Sequence, residues 1–256
     1  MRLNSQELRN TALWEKAGIE LPRFDRDAMI AATQAGPEWV HFGAGNIFRA
    51  FLSALQQDLL DKGMAKTGII VAAGYDGEII DRIYRPYDNL SLLVTLKADG
   101  AARKRVLASV AGALRMDKAE DFERLKSIFR SPSLKMASLT ITEKGYNLAG
   151  WKGEPLPEAA SDFNTGLKMP KNYIGKLAAL CYERYLAGRL PLALVSMDNC
   201  SHNGDRLFNA VEAFAAKWTD RGFTDHGFLD YIWYHKTVSF PWTIIDKFTP
   251  GPVGGV

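Results

Sequence analysis

The segment Gly43-Ala44-Gly45-Asn46-Ile47-Phe48-Arg49 has the residue types needed to hold a phosphate group. Two glycines let a backbone turn approach an anion closely, and free N–H groups at the start of a following helix point at it. Arg49, one turn in, adds a charge-assisted hydrogen bond to the same oxygens. Asn46 suits the N-cap of that helix. The pattern departs from the dinucleotide fingerprint Gly-x-Gly-x-x-Gly, because Phe48 stands where a third small residue normally lets helix and sheet close up. A looser or differently angled helix is implied. A glycine turn between a buried strand and a packing helix accounts for the same residues without a ligand.

Asp76 follows the apolar run Thr67–Ala73 and Gly74-Tyr75. In a βαβ dinucleotide unit an acidic residue at the end of the second strand accepts bonds from the adenosine ribose hydroxyls, and it would repel a 2′-phosphate. Asp76 lies 31 residues after Gly45, against the usual spacing of about 20; a long helix and connection absorb the difference. A plain turn residue in Tyr75-Asp76-Gly77 is the competing account. Thr142 and Glu143 end the β-rich run Met136–Thr142, at the carboxyl end of a strand, where open α/β sheets bind ligands. A β-forming Thr and a solvated Glu-Lys-Gly turn is the plainer account of them.

The densest polar loop is Asp198-Asn199-Cys200-Ser201-His202-Asn203. Asp198, Cys200 and His202 invite a zinc reading. It is rejected, because one loop holds an i, i+2, i+4 cluster with no second half, while zinc sites want three or four ligands at recognisable spacings. No Gly-x-Ser-x-Gly occurs, which argues against an acyl-transfer hydrolase. The amide of Asn199 suits a different chemistry, since a fixed N–H donor stabilises an oxygen with alkoxide character without titrating. Asn203-Gly204 reads as local turn-making.

These residues need a scaffold of alternating strands and helices. Trp39–Phe42 reads as a buried strand, and Phe48, Phe51, Leu52, Leu55 and Leu59 form the apolar face of the next helix, ended by Gly63. Residues 91–97 and 103–110 flank Ala98-Asp99-Gly100 as a hairpin. Residues 118–130 have helical spacing and stop at Ser131-Pro132, residues 150–170 read as a surface excursion, and a helix over 173–186 precedes a strand over 192–197. The pattern predicts an α/β, Rossmann-like doubly wound fold, mainly parallel, with an antiparallel hairpin added.

Bulk properties narrow the classes. The 256 residues are 47% hydrophobic and 24% charged with net charge +3, an ordinary globular composition. Arg103-Lys104-Arg105 is the one tight basic cluster and reads as a solvated strand edge, so a nucleic-acid partner is not expected. No run reaches the length of a membrane span, and the two cysteines make no disulfide framework. A cytoplasmic protein is the default expectation.

Four motifs occur in order along nearly the whole chain: Gly43–Ala50, Leu139–Tyr146, Met197-Asp198-Asn199-x-x-x-Asn203-Gly204, and Phe240-Pro241-x-x-x-x-Asp246-x-x-Thr249-Pro250. Together they resemble the mannitol dehydrogenase family, the long-chain polyol dehydrogenases that include mannonate oxidoreductase (fructuronate reductase). The resemblance implies a metal-free, NAD(P)-dependent secondary-alcohol dehydrogenase, with NAD favoured over NADP through Asp76. It implies that Gly43, Ala44, Gly45, Asn46, Ile47, Phe48 and Arg49 form the pyrophosphate site and that Asp76 takes the ribose. Thr142 and Glu143 would lie near the nicotinamide half. Asn199 would donate to the reacting oxygen, and Asp246 would line the substrate side.

The implied substrate is a small sugar acid or polyol. Mannonate/fructuronate is favoured over mannitol/fructose by the form of Gly45–Phe51 and by Pro86-Tyr87-Asp88-Asn89-Leu90. Family members are roughly twice as long and carry their general base, a lysine, in a Lys-x4-Asn-x2-His motif of a C-terminal helical domain. That motif does not occur in this sequence. The expected organisation is a lead-in over 1–38, a dinucleotide-binding domain over 39–250, and at 251–256 the start of a connection to an absent helical domain. Little or no activity of this chain alone is then expected, with an exposed apolar surface (Trp233, Trp242, Ile244, Ile245) through which copies could also associate. A non-catalytic nucleotide-binding or interaction module is the alternative.

Overall fold

A computed structural model of the chain describes residues 2–234 and 237–245. Asp246, Thr249 and Pro250 lie outside the described residues. The chain is an α/β protein with a mostly parallel sheet. Its strands are β1 (Ile19–Glu20), β2 (Trp39–Phe42), β3 (Ile69–Ala73), β4 (Ser91–Leu96), β5 (Ala102–Leu107), β6 (Val110–Arg115), β7 (Met136–Leu139), β8 (Leu192–Ser196) and β9 (Val238–Ser239). The helices used below are α1 (Ser53–Asp61), α2 (Ala119–Arg130), α3 (Pro157–Thr165), α4 (Tyr173–Leu186), α5 (Asn203–Asp220) and α6 (His226–Trp233). Contacts divide the chain into two compact units. One takes the residues up to Glu38 with Gly43–Arg115, the other Trp39–Phe42 with the described residues from Met116 onward.

In the first unit, β4 and β5 form the expected antiparallel hairpin, in register from Ser91↔Leu107 to Leu96↔Ala102. The hairpin does not simply extend the parallel strands. It makes its own three-stranded sheet with β1, which pairs parallel to β5, over a small core of Trp14, Ile19, Leu90, Val106 and Ala108. The run expected as one strand over 103–110 breaks after Leu107, and β6 pairs parallel with β3 instead. A buried amide makes the break. Gln57 of α1 donates to the Val106 carbonyl (2.8 Å) and accepts from the Ala108 N–H (2.6 Å), satisfying the backbone where it leaves one sheet for the other. Two residues of the basic cluster form ion pairs here: Arg103 with Glu20, and Arg105 with Asp58 and Asp61.

In the second unit, β2, β7, β8 and β9 lie side by side, all parallel, with Val40↔Ala137 and Ala137↔Leu194 setting the register. The amphipathic α2 buries Phe122, Leu125, Ile128 and Phe129, as its spacing predicts. Residues 157–165, expected as part of a surface excursion, form α3. Pro157 sits in its first turn, and Phe163 packs on Phe214 at 4.8 Å between ring centroids. The exposed apolar surface expected near the chain's end is present in part: Trp233, Trp242 and Ile244 are exposed, and Ile245 is half-buried. Among the described residues no helix is long and apolar enough to cross a membrane.

His41 of β2 is fully buried, and burial lowers its pKa from 6.5 to about 3. Trp39 Nε1–H donates to Ser138 Oγ (2.7 Å), which lies 2.7 Å from His41 Nδ1, and Thr140 Oγ1 lies 3.0 Å from Nε2. Each ring nitrogen thus has a hydroxyl within hydrogen-bond distance, and burial keeps the imidazole neutral. The unfolded chain takes up the ring's second proton near pH 6.5, the folded chain only near 3. Stability from this group is therefore complete above about pH 6.5 and declines as the pH falls towards 3, by up to about 1.4 kcal/mol per pH unit. His41→Gln is expected to flatten the acid limb of the unfolding free energy by one proton in urea titrations at stepped pH. An unchanged slope would mean that His41 is not the group taking up that proton.

Candidate functional site

In the first unit, the segment from Gly43 makes a tight bend. Gly43 has φ +132°, a conformation that favours glycine. Its N–H is committed to the Ala72 carbonyl of β3 (2.9 Å), so its contribution to the bend is its conformation. The N–H groups of Ala44, Gly45, Asn46 and Ile47 have no partner among the described residues. The helix starts with the Arg49 N–H on the Gly45 carbonyl (3.1 Å), so Gly45 rather than Asn46 occupies the cap position. The Asn46 side chain instead accepts from the Arg49 guanidinium.

The helix then makes one π turn over Phe48–Leu52 before α1. This wider turn takes in Phe48, fully buried at the place where the fingerprint has a small residue. A Cβ built on Gly45 meets nothing within 4 Å, so the space over the turn is open. Arg49 Nε is buried without a hydrogen-bond partner among the described residues. Free amides, an unused guanidinium donor and open space above a glycine are together the features an anionic diphosphate needs. Asp76 is exposed just beyond the carboxyl end of β3, with its carbonyl taking the Ile79 N–H (3.3 Å).

In the second unit two loops follow β7 and β8. Thr142 has φ +66° and ψ 159°, a region that glycine visits freely and a β-branched residue does not. Such a residue carries about 1–3 kcal/mol of strain and persists only where its surroundings over-determine it. Glu143 opens a short 3₁₀ turn and pairs with Arg206 of α5 (3.0 Å). Asn199 is exposed, and its amide has no partner among the described residues.

Asn203 does more than turn the chain. It is buried, donates to the Asp198 carbonyl (3.1 Å) and to Thr243, and accepts the Thr243 N–H (3.1 Å). Gly204 allows the same approach, because a Cβ there would lie 2.4 Å from the Phe240 carbonyl oxygen. Cys200 and His202 do not converge. Burial first, and then Asp198, push the Cys200 thiol up. The His202 ring packs edge-on against Trp242 at 4.4 Å. Among the described residues no group of three or more His, Cys, Asp or Glu is placed to hold a metal ion.

The sequence model of the mannitol dehydrogenase Rossmann domain matches residues 37–254. The chain belongs to the mannitol dehydrogenase family. It is 49% identical over 253 residues to the D-mannonate oxidoreductase of Thermotoga maritima, covering 98% of this chain and 47% of that protein. It is 28% identical over 237 residues to the mannitol 2-dehydrogenase of Cereibacter sphaeroides, covering 91% and 46%. Among solved structures it is similar to Pseudomonas fluorescens mannitol 2-dehydrogenase in ternary complex with NAD and D-mannitol. That likeness has a TM-score of 0.76 at 26% identity and covers 94% of this chain and 46% of that one. The chain thus spans about half the length of the curated relatives it matches.

As a mannitol dehydrogenase Rossmann domain, the chain has the doubly wound α/β class expected from its strand–helix alternation. Two residues that hold the candidate site do not stand out from the sequence. Tyr84, buried, donates to the Ala44 carbonyl (2.8 Å) and pins the glycine bend; burial pushes its hydroxyl pKa up, with Arg49 pulling the other way. Asp198, which the sequence offers only as a rejected metal ligand, accepts the N–H groups of Ile141 (3.0 Å) and Thr142 (2.9 Å). Its place in the motif Met197-Asp198-Asn199 is the available signal.

Proposed function

We propose that this chain is the nucleotide-binding half of an NAD-dependent secondary-alcohol dehydrogenase acting on a sugar acid or polyol, with a mannonate/fructuronate pair favoured. The observation that carries the reading is the Gly43–Arg49 bend: four N–H groups and a buried Arg49 Nε without a partner among the described residues, and open space at Gly45. The 49% identity to a D-mannonate oxidoreductase supports the sugar-acid preference.

The chemistry supplied by bound NAD is hydride exchange with a secondary alcohol or its ketone. The amides of Ala44, Gly45, Asn46 and Ile47, with Arg49, neutralise the diphosphate, and Asp76 accepts from the adenosine ribose and disfavours a 2′-phosphate. Thr142 and Glu143 are assigned to the nicotinamide half. Asn199 would donate its amide to the reacting oxygen and stabilise the alkoxide character that this oxygen carries on the alcohol side of the exchange. Asp246 is assigned to the substrate side. The proton acceptor is assigned to a lysine in the part of the relatives' length not spanned here, since a lysine base needs a closed, desolvated setting to lower its pKa.

The test is calorimetric titration of the chain with NADH, NADPH and ADP-ribose. NADH and ADP-ribose should bind, and NADPH should bind at least about tenfold more weakly, the scale of one unfavourable charge contact. Failure of all three to bind overturns the nucleotide reading. Equal affinity for NADPH and NADH would remove Asp76 from the ribose site.

A further inference from the structure

The strained residue of the second unit is held by a single side chain. Consecutive backbone amides, Ile141 N–H and Thr142 N–H, both donate to the Asp198 carboxylate, one to each oxygen, at 3.0 and 2.9 Å. The Tyr146 hydroxyl donates to the same group and lies 2.7 Å from Ser196 Oγ. Burial first, and then the Asp198 charge, push the Tyr146 hydroxyl's pKa upward, so it remains a donor. Thr142 sits where its own side chain disfavours it, at φ +66° and ψ 159°. Glu143 follows directly and reaches Arg206.

Only a carboxylate suits this position, because it accepts on both oxygens, whereas an asparagine amide would turn a donor towards one of the two N–H groups. The sequence joins Asp198 to Asn199, so the end of β8 that carries the proposed amide donor also ties down the end of β7.

We propose that Asp198 is a positioning residue: its carboxylate holds Thr142 in a glycine-like conformation and so keeps Thr142 and Glu143 aimed at the nicotinamide half of the cofactor. This role rests on the nucleotide reading above. It differs from a general structural role in a way that can be measured. ADP-ribose lacks the nicotinamide, so a loop serving that half should affect NADH and leave ADP-ribose alone.

The experiment is a double-mutant cycle on the full chain with Asp198→Asn and Thr142→Gly, read by calorimetry and by amide hydrogen exchange. Asp198→Asn should weaken NADH by about tenfold and ADP-ribose by less than about twofold. It should also speed exchange at Ile141 and Thr142. Glycine at position 142 needs no clamp, so in the Thr142→Gly background Asp198→Asn should cost less than about threefold in NADH affinity.

Equal weakening of NADH and ADP-ribose, or the same cost in both backgrounds, overturns the proposal. Unchanged exchange at Ile141 and Thr142 in Asp198→Asn also overturns it, whatever the nucleotides do. A wild-type chain that binds neither nucleotide brings down the nucleotide reading and this role with it, while exchange reports separately whether the carboxylate holds the loop. Should Asp198→Asn not fold, Asp198→Glu keeps both acceptors one methylene further out and should show the same NADH-selective loss.

Discussion

Gly45→Val is expected to abolish NADH binding while the fold stays intact. A Cβ at Gly45 meets no atom within 4 Å, and its backbone lies outside the left-handed region, so the protein has no steric reason to reject a side chain. Valine is a poorer helix cap than glycine, which costs about 1 kcal/mol at most. The open space, however, is the volume assigned to the diphosphate. A branched side chain there would move phosphate oxygens out of reach of the amides of Ala44 to Ile47. Each charge-assisted hydrogen bond is worth about 1.5–3 kcal/mol, so losing two weakens binding by about 100-fold or more. Calorimetry with NADH and a thermal melt check the two halves of this expectation. A Kd within about fivefold of wild type would show that the bend does not take the diphosphate. Gly43→Val makes the contrast: at φ +132° any side chain is strained, so that variant should lose stability as well as binding.

Arg184→Met is expected to destabilise the protein by about 4 kcal/mol. Arg184 is fully buried and its guanidinium donates to four carbonyls: Phe129 (2.8 Å), Ser131 (2.9 Å), Leu134 (2.6 Å) and Pro191 (2.6 Å). Those carbonyls close the end of α2, the turn into β7 and the entry to β8. Burial lowers the guanidinium's pKa, so the site tolerates the charge only because it is fully hydrogen-bonded. Methionine fills similar space and leaves every one of these acceptors without its donor. An orphaned buried acceptor costs about 1–3 kcal/mol. The Phe129 and Leu134 contacts are buried and the other two nearer to water, so the sum is about 4 kcal/mol, a large fraction of the roughly 5–15 kcal/mol of a typical domain. Urea denaturation would measure it. A change below about 1 kcal/mol would mean that water replaces the guanidinium. Lysine, with three donors for four acceptors, should fall between the two and supplies the measurement if the methionine variant does not fold.

Legibility in the sequence follows the range of the interactions involved. The α2 stripe, the α4 helix and the β4–β5 hairpin are local patterns, and they are readable because side chains three, four or two residues apart report their own face. The 103–110 run reads as one strand because nothing local marks the break; the break belongs to Gln57, some fifty residues away, whose amide takes both backbone groups at the crossing. Asn203 looks like a turn-maker for the same reason, since its partner Thr243 is forty residues on. The α3 helix escapes a sequence reading because glycines, prolines and charges around it hide its buried apolar positions, Ala159 and Phe163.

Residue types and order alone determined the class of fold, the family and the short list of candidate residues. Glycine spacing, strand–helix alternation and four ordered motifs are properties of the chain itself. Tertiary structure decided which groups are free and which are committed: that Gly43 spends its N–H on Ala72, that Arg49 keeps one donor unused, and that Thr142 is strained and held by Asp198. A hydrogen-bonding group's availability depends on what else lies within about 3 Å of it, and that is set by residues far apart in sequence.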